Sequence, residues 1–128
     1  AAALKNIEII QREGILAHVE EVGRYFEEQL RTLLDLPIVG DVRGLRFMAC
    51  VEFVADQASK ALFPEALNIG EWVHLRAQKR GLLVRPMVHL NVMSPPLIVT
   101  RQQVDFIVRV LRESILENLE DLQQAGHY

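Results

Sequence analysis

The chain has 128 residues, half of them apolar and 24% charged, with a net charge of −3, the make-up of a single globular domain. No basic block suggests nucleic acid or an anionic membrane surface, and no apolar run approaches the roughly 20 residues of a membrane span. One cysteine, Cys50, excludes an internal disulfide framework, and with no signal-peptide layout the expected address is the cytoplasm.

The chain opens Ala1-Ala2-Ala3-Leu4-Lys5, already in a helical pattern and without Met, so we expect a piece of a longer polypeptide. Leu4, Ile7 and Ile10 keep helical spacing to Arg12, and Gly14 interrupts. From Ile15 the apolar positions 15, 16, 19, 22, 26, 30, 33 and 34 predict an amphipathic helix of about five turns, ended by Pro37. Residues 38–43 read as an extended lead-in, with a turn or bulge at Arg43-Gly44. Residues 47–54 are β-rich, with Phe47, Ala49, Val51 and Phe53 on one face and Met48, Cys50, Glu52 and Val54 on the other. Both faces are largely apolar, which predicts a central strand, and Glu52 reads as the partner of a nearby arginine.

Residues 55–64 form a polar link. Ala66, Ile69, Val73 and Ala77 then mark a helix face, Lys79 and Arg80 fall in its last turn, and Gly81 is the expected left-handed terminator. Residues 82–85 and 88–92 predict two short strands, with Pro86 bending the chain between them and Ser94-Pro95-Pro96 turning it away afterwards. Thr100 and Gln103 predict a capping box opening a final helix, whose stripe is Val104, Ile107, Val108, Leu111, Ile115, Leu119 and Leu122. The fold class is therefore α+β: a small, mostly antiparallel sheet covered on one face by helices.

The chemistry is sparse. No glycine-rich phosphate loop, paired-cysteine motif or serine elbow occurs. His18, His74, His89 and His127 have no ligand spacing, so no metal site is expected. His89 reads first as a packing residue, with a functional role near Arg85 as the alternative. Arg85 is the candidate site residue. A guanidinium at the end of a short apolar strand requires either an internal carboxylate or an external anion. Residue type alone leaves both open.

Gly40-Asp41-Val42-Arg43-Gly44-Leu45, then Leu83-Val84-Arg85-Pro86, then Ser94-Pro95-Pro96-Leu97-Ile98 with Thr100 and Asp105, resemble in order the C-terminal end of class III aminotransferases. These are pyridoxal-phosphate enzymes of fold type I. The resemblance implies that residues 1–13 end a helix joining from a large domain and that residues 14–128 form the C-terminal small domain. It implies that the family's catalytic lysine, cofactor aspartate and phosphate contacts lie in the large domain. This chain alone is then expected to be inactive and to hold no pyridoxal phosphate, since Lys5, Lys60 and Lys79 sit in nothing like the lysine motif.

By its spacing to the Ser-Pro-Pro bend, Arg85 matches the mobile arginine of pyruvate-using, omega-transaminase-like members, where it clamps the substrate carboxylate and swings aside for other groups. Ornithine-type relatives instead carry an arginine at the position of Val92. Two departures stand out: Val88-His89 where many relatives have Gly-Asp, and Arg46 where they have Gly. The implied partners of the full-length enzyme are small amines and keto acids, in a homodimer, with no nucleic acid or membrane. A decarboxylase or aminomutase of the same family would share these features. The alternative from another class is a free-standing α+β binding or regulatory module without catalysis.

Overall fold

The apolar stripes and breakers of the sequence produce four helices and four strands, and the computed structural model describes residues 2–128. Helix α1 (Ala2–Arg12) stops before Gly14, whose φ of 62° is left-handed, and α2 (Ile15–Arg31) starts at once. The sequence predicts that α2 runs on to Pro37, but regular helix ends at Arg31 and the chain tightens into a 3₁₀ turn over Thr32–Asp35. Pro37 excludes helical backbone at the residue before it, and Leu36 is extended. The tightened turn keeps its hydrogen bonds: the Leu36 amide donates to the Leu33 carbonyl at 3.0 Å, and Arg112 donates to the Thr32 carbonyl at 2.6 Å.

Strands β1 (Val39–Leu45) and β2 (Met48–Phe53) pair antiparallel, with a register shift between Val39 and Asp41. The lead-in is thus a full strand, the bulge lies at Gly40, and the reversal falls on Arg46-Phe47 rather than on Arg43-Gly44. Arg46 adopts φ 52°, and two carboxylates hold it there. Its guanidinium donates to Glu20 and Glu27 of α2 at 2.7–2.8 Å, and its amide donates to Glu27 at 2.6 Å. Seven residues apart, Glu20 and Glu27 lie on one helix face, so they grip the turn together. Gly23 lies between them, and a Cβ there would come within 2.7 Å of the Arg46 Cβ. The charge at position 46, unaccounted for by the sequence, is therefore a bridge that fastens the β1–β2 turn to α2.

After a link containing a second 3₁₀ turn (Glu65–Leu67), α3 (Ile69–Lys79) ends at Gly81 with φ 87°. The Leu82 amide reaches back to the Ala77 carbonyl and the Gly81 amide to that of Gln78, both at 3.0 Å. Strands β3 (Arg85–Met87) and β4 (Leu90–Met93) then form a tight hairpin, and α4 (Arg101–Gln124) closes the fold behind the expected Thr100/Gln103 capping box. The sheet is antiparallel throughout, in the order β1-β2-β4-β3, so β2 is interior as its apolar faces predict. Pro86 does not bend the chain between strands. It sits inside β3, an edge strand, where a missing amide is tolerated, and the bend falls on Val88-His89.

The helices cover one sheet face only. Phe26, Leu30, Leu33, Val73, Val104, Leu111 and Ile115 bury Ala49, Val51, Phe53 and Met93 beneath them. Phe26 and Phe47 meet tilted, with ring centroids 6.2 Å apart. The other face carries Arg43, Leu45, Met48, Cys50, Glu52 and Val92, and there Arg43 donates to Glu52 at 2.7 Å, the partnership expected of Glu52. Cys50 is a free thiol, pushed up chiefly by burial.

Two outcomes follow. Phe26→Ala should cost about 3–5 kcal/mol, read as a lower urea midpoint with unchanged slope. The Glu20 carboxyl is held at about 2 instead of 4.5, first by its hydrogen bond from Arg46 and then by that from Arg24. The stabilisation is therefore complete above pH 4.5 and disappears as the pH falls towards 2. Glu20→Gln should lower stability at neutral pH and flatten the acid decline in that window. An unchanged acid limb would show that the bridge is too well solvated to matter.

Candidate functional site

The loop after α3 brings Leu82, Leu83 and Val84 to the sheet edge, where the short strand β3 starts on Arg85. Arg85 pairs with Val92, which pairs with Cys50, which pairs with Arg43, so these four share one row across the uncovered face. Arg85 thus stands at the start of its strand, not at the end of one as the sequence suggests, yet still on the sheet's open rim.

Beside it lies a cavity of about 800 Å³ between the β3–β4 edge, the Ser94-Pro95-Pro96 bend and the first turns of α4. Its walls include Val84, Met93, Ile98, Val99, Phe106 and Ile107. Arg85 is the one charged side chain among its lining residues. A shallower depression of about 500 Å³ runs on over Leu45, Met48 and Cys50, sharing Val92, Met93 and Ser94 with the first. The capping box aims the N-terminus of α4, with Thr100 and Gln103, at the same cavity. That end adds positive potential to a region whose other charge is the guanidinium.

The internal ion pair that would have made Arg85 structural is not there. Arg12, Arg24, Arg31, Arg43, Arg46, Arg76, Arg80, Arg101, Arg109 and Arg112 each have a carboxylate oxygen within 4.0 Å. Among the described residues Arg85 has none, and its side chain is exposed. A planar fork with free donors, on an apolar wall, suits a planar carboxylate.

The other candidates disperse. His18 contacts the Val99 carbonyl at 2.9 Å, and His89 contacts that of Phe63 at 2.7 Å. No group of three or more His, Cys, Asp or Glu converges on a metal position among the described residues. Phe106, Gln103 and Ile107 line the cavity, a place that the sequence assigns to none of them. Their helix is legible, but nothing local says that its first turns pack beside the proline bend.

Pyridoxal phosphate does not fit the residues present. Lys5 is paired with Glu8 on the exposed α1, Lys60 donates to the Gly40 carbonyl at 2.8 Å, and Lys79 ends α3. None of the three lines the cavity. Apolar surface is left open along the first helix and on β2, where Leu4 is 73% and Met48 72% exposed. No described helix is long and apolar enough to cross a membrane.

Comparison with known proteins agrees with this geometry. An uncharacterised aminotransferase of Sinorhizobium fredii is 36% identical, and the diaminobutyrate–2-oxoglutarate transaminase of Halomonas elongata 35% identical; each match covers 98% of this chain and 28% of the relative. The structure of a thermostable omega-transaminase six-fold mutant from Pseudomonas jessenii superposes with a TM-score of 0.84, at 35% identity, over 98% of this chain and 27% of that one. The chain thus spans little more than a quarter of the length of these relatives. With the family model for class-III aminotransferases matching residues 1–115, and with the small-domain sheet and helices of solved transaminases, this chain belongs to the class-III aminotransferase family.

Proposed function

We propose that this chain is the C-terminal small-domain part, residues 14–128, of a pyridoxal-phosphate-dependent aminotransferase, in which Arg85 binds the substrate carboxylate. The enzyme would move an amino group from an amine or omega-amino acid to a keto acid such as pyruvate. One observation carries the reading: among the described residues, the only arginine without a carboxylate partner is also the only charged residue lining the 800 Å³ cavity. An unpaired guanidinium on an edge strand is free to meet an incoming carboxylate and free to move aside for an apolar group. Val92, where the ornithine-type subgroup carries its arginine, is the cross-strand neighbour of Arg85. Both subgroups would then raise one guanidinium from the same patch, and here it rises from β3.

The cofactor would be held by other parts of a longer polypeptide, since no lysine of this chain faces the cavity. The whole enzyme would be a cytoplasmic homodimer acting on small amines and keto acids. A free-standing binding module is the second reading, favoured by that same lack of a lysine. It predicts carboxylate binding with no amino transfer in any longer form of the protein.

In a longer polypeptide carrying this chain, Arg85→Ala should raise the KM for pyruvate roughly ten- to a hundredfold, the loss of one or two charge-assisted hydrogen bonds. The KM for an apolar amine should change little. The Halomonas relative is named for 2-oxoglutarate, which carries the same carboxylate, so both acceptors belong in the assay. Equal effects on keto acid and amine would remove the assigned role.

A further inference from the structure

Strand β3 is only three residues long, and Pro86 at its centre donates no hydrogen bond to the ladder. Pairing by itself therefore holds Arg85 weakly. The turn three residues further on is held unusually hard. Val88 is β-branched yet has φ 28°, a conformation such residues adopt only when their surroundings impose it.

Three separate elements impose it. The Gly70 amide at the start of α3 donates to the Val88 carbonyl at 2.8 Å. The Phe53 amide at the end of β2 donates to the His89 carbonyl at 2.8 Å. The His89 imidazole, with its proton on Nε2, donates to the Phe63 carbonyl at 2.7 Å, and Phe63 is itself buried in the core. A side chain at position 70 would collide with the Leu90 carbonyl, 2.6 Å from its Cβ, so the glycine lets α3 come this close. Asn91 then closes the junction by donating to the Gly70 carbonyl at 2.8 Å. Of these fastenings, the imidazole is the one made by a side chain of the turn.

We propose that His89 is a positioning residue: by tying the β3–β4 turn to the Phe63 carbonyl, it sets where Arg85 stands on the cavity rim. This rests on the carboxylate-binding role of Arg85, and its consequence is specific. Loosening the turn displaces the guanidinium from a carboxylate while leaving the apolar walls in place.

The test has two arms. Amide hydrogen exchange on this chain should show Phe53 and Gly70 exchanging roughly tenfold faster in His89→Ala, with Val104 in α4 unchanged, and His89→Gln, which keeps a donor, restoring protection. No change at Phe53 and Gly70, or an equal rise at Val104, overturns the proposal. In the longer enzyme, His89→Ala should raise the KM for pyruvate roughly tenfold with kcat and the amine KM nearly unchanged, and His89→Gln should recover most of it. A fall in kcat without the KM change overturns it too. Should His89→Ala fail to fold, loss of Phe53 and Gly70 protection in a folded His89→Gln would also overturn it, since that variant keeps the donor. Arg85→Ala run in parallel separates the two ideas. If that variant treats keto acid and amine alike, the carboxylate reading falls, while the exchange arm still decides the role of His89.

Discussion

The fold depends on a sheet that is covered on one face and left open on the other. Strand geometry alternates side chains, so burying Ala49, Val51, Phe53 and Met93 under α2, α3 and α4 forces Arg43, Cys50, Val92 and Arg85 to the opposite face. A one-residue slip in any strand would exchange the two sets. The core therefore fixes the site: the hydrophobic burial that holds the helices to the sheet also puts Arg85 in the row of residues that they leave uncovered.

Charge is handled by the same economy. About half of the cations are tied down between elements. Arg46 joins the β1–β2 turn to α2, Arg112 joins α4 to the 3₁₀ turn that follows α2, and Arg76 and Arg80 lace α3 to Asp121 and Glu117 of α4. Singly, such exposed pairs contribute little, about 0–1 kcal/mol. Together they leave few free carboxylates on the helix side and none beside the cavity. Arg85, on the rim of an apolar wall, is left without a carboxylate partner among the described residues.

The family relationship and the length comparison make sense of a site with binding apparatus and no reactive group. The matches span 98% of this chain but 28% of each relative, and the open sheet face, the cavity and the exposed apolar side chains lie where no described residue covers them. In the proposed enzyme Arg85 would contribute recognition. The lysines of this chain are spent on Glu8, on the Gly40 carbonyl and on the end of α3.

Periodicity determined the four helices, because each stripe repeats many times over its length. The Thr100/Gln103 box and Gly81 were equally legible, since capping chemistry is local. The interior position of β2 was readable from its two apolar faces. The candidate Arg85 came from ordered motifs resembling a family, since nothing in its own chemistry distinguished it from the ten other arginines. Tertiary structure alone decided the rest. The β1–β2 turn moved to Arg46 because Glu20 and Glu27, some twenty residues away, hold its backbone at positive φ. Pro86 stayed within a strand because that strand is an edge, and the bend passed to Val88-His89 because α3, β2 and Phe63 hold it there. Whether an arginine is paired or free depends on which carboxylates folding brings within a few ångströms, and that is a property of the packed molecule.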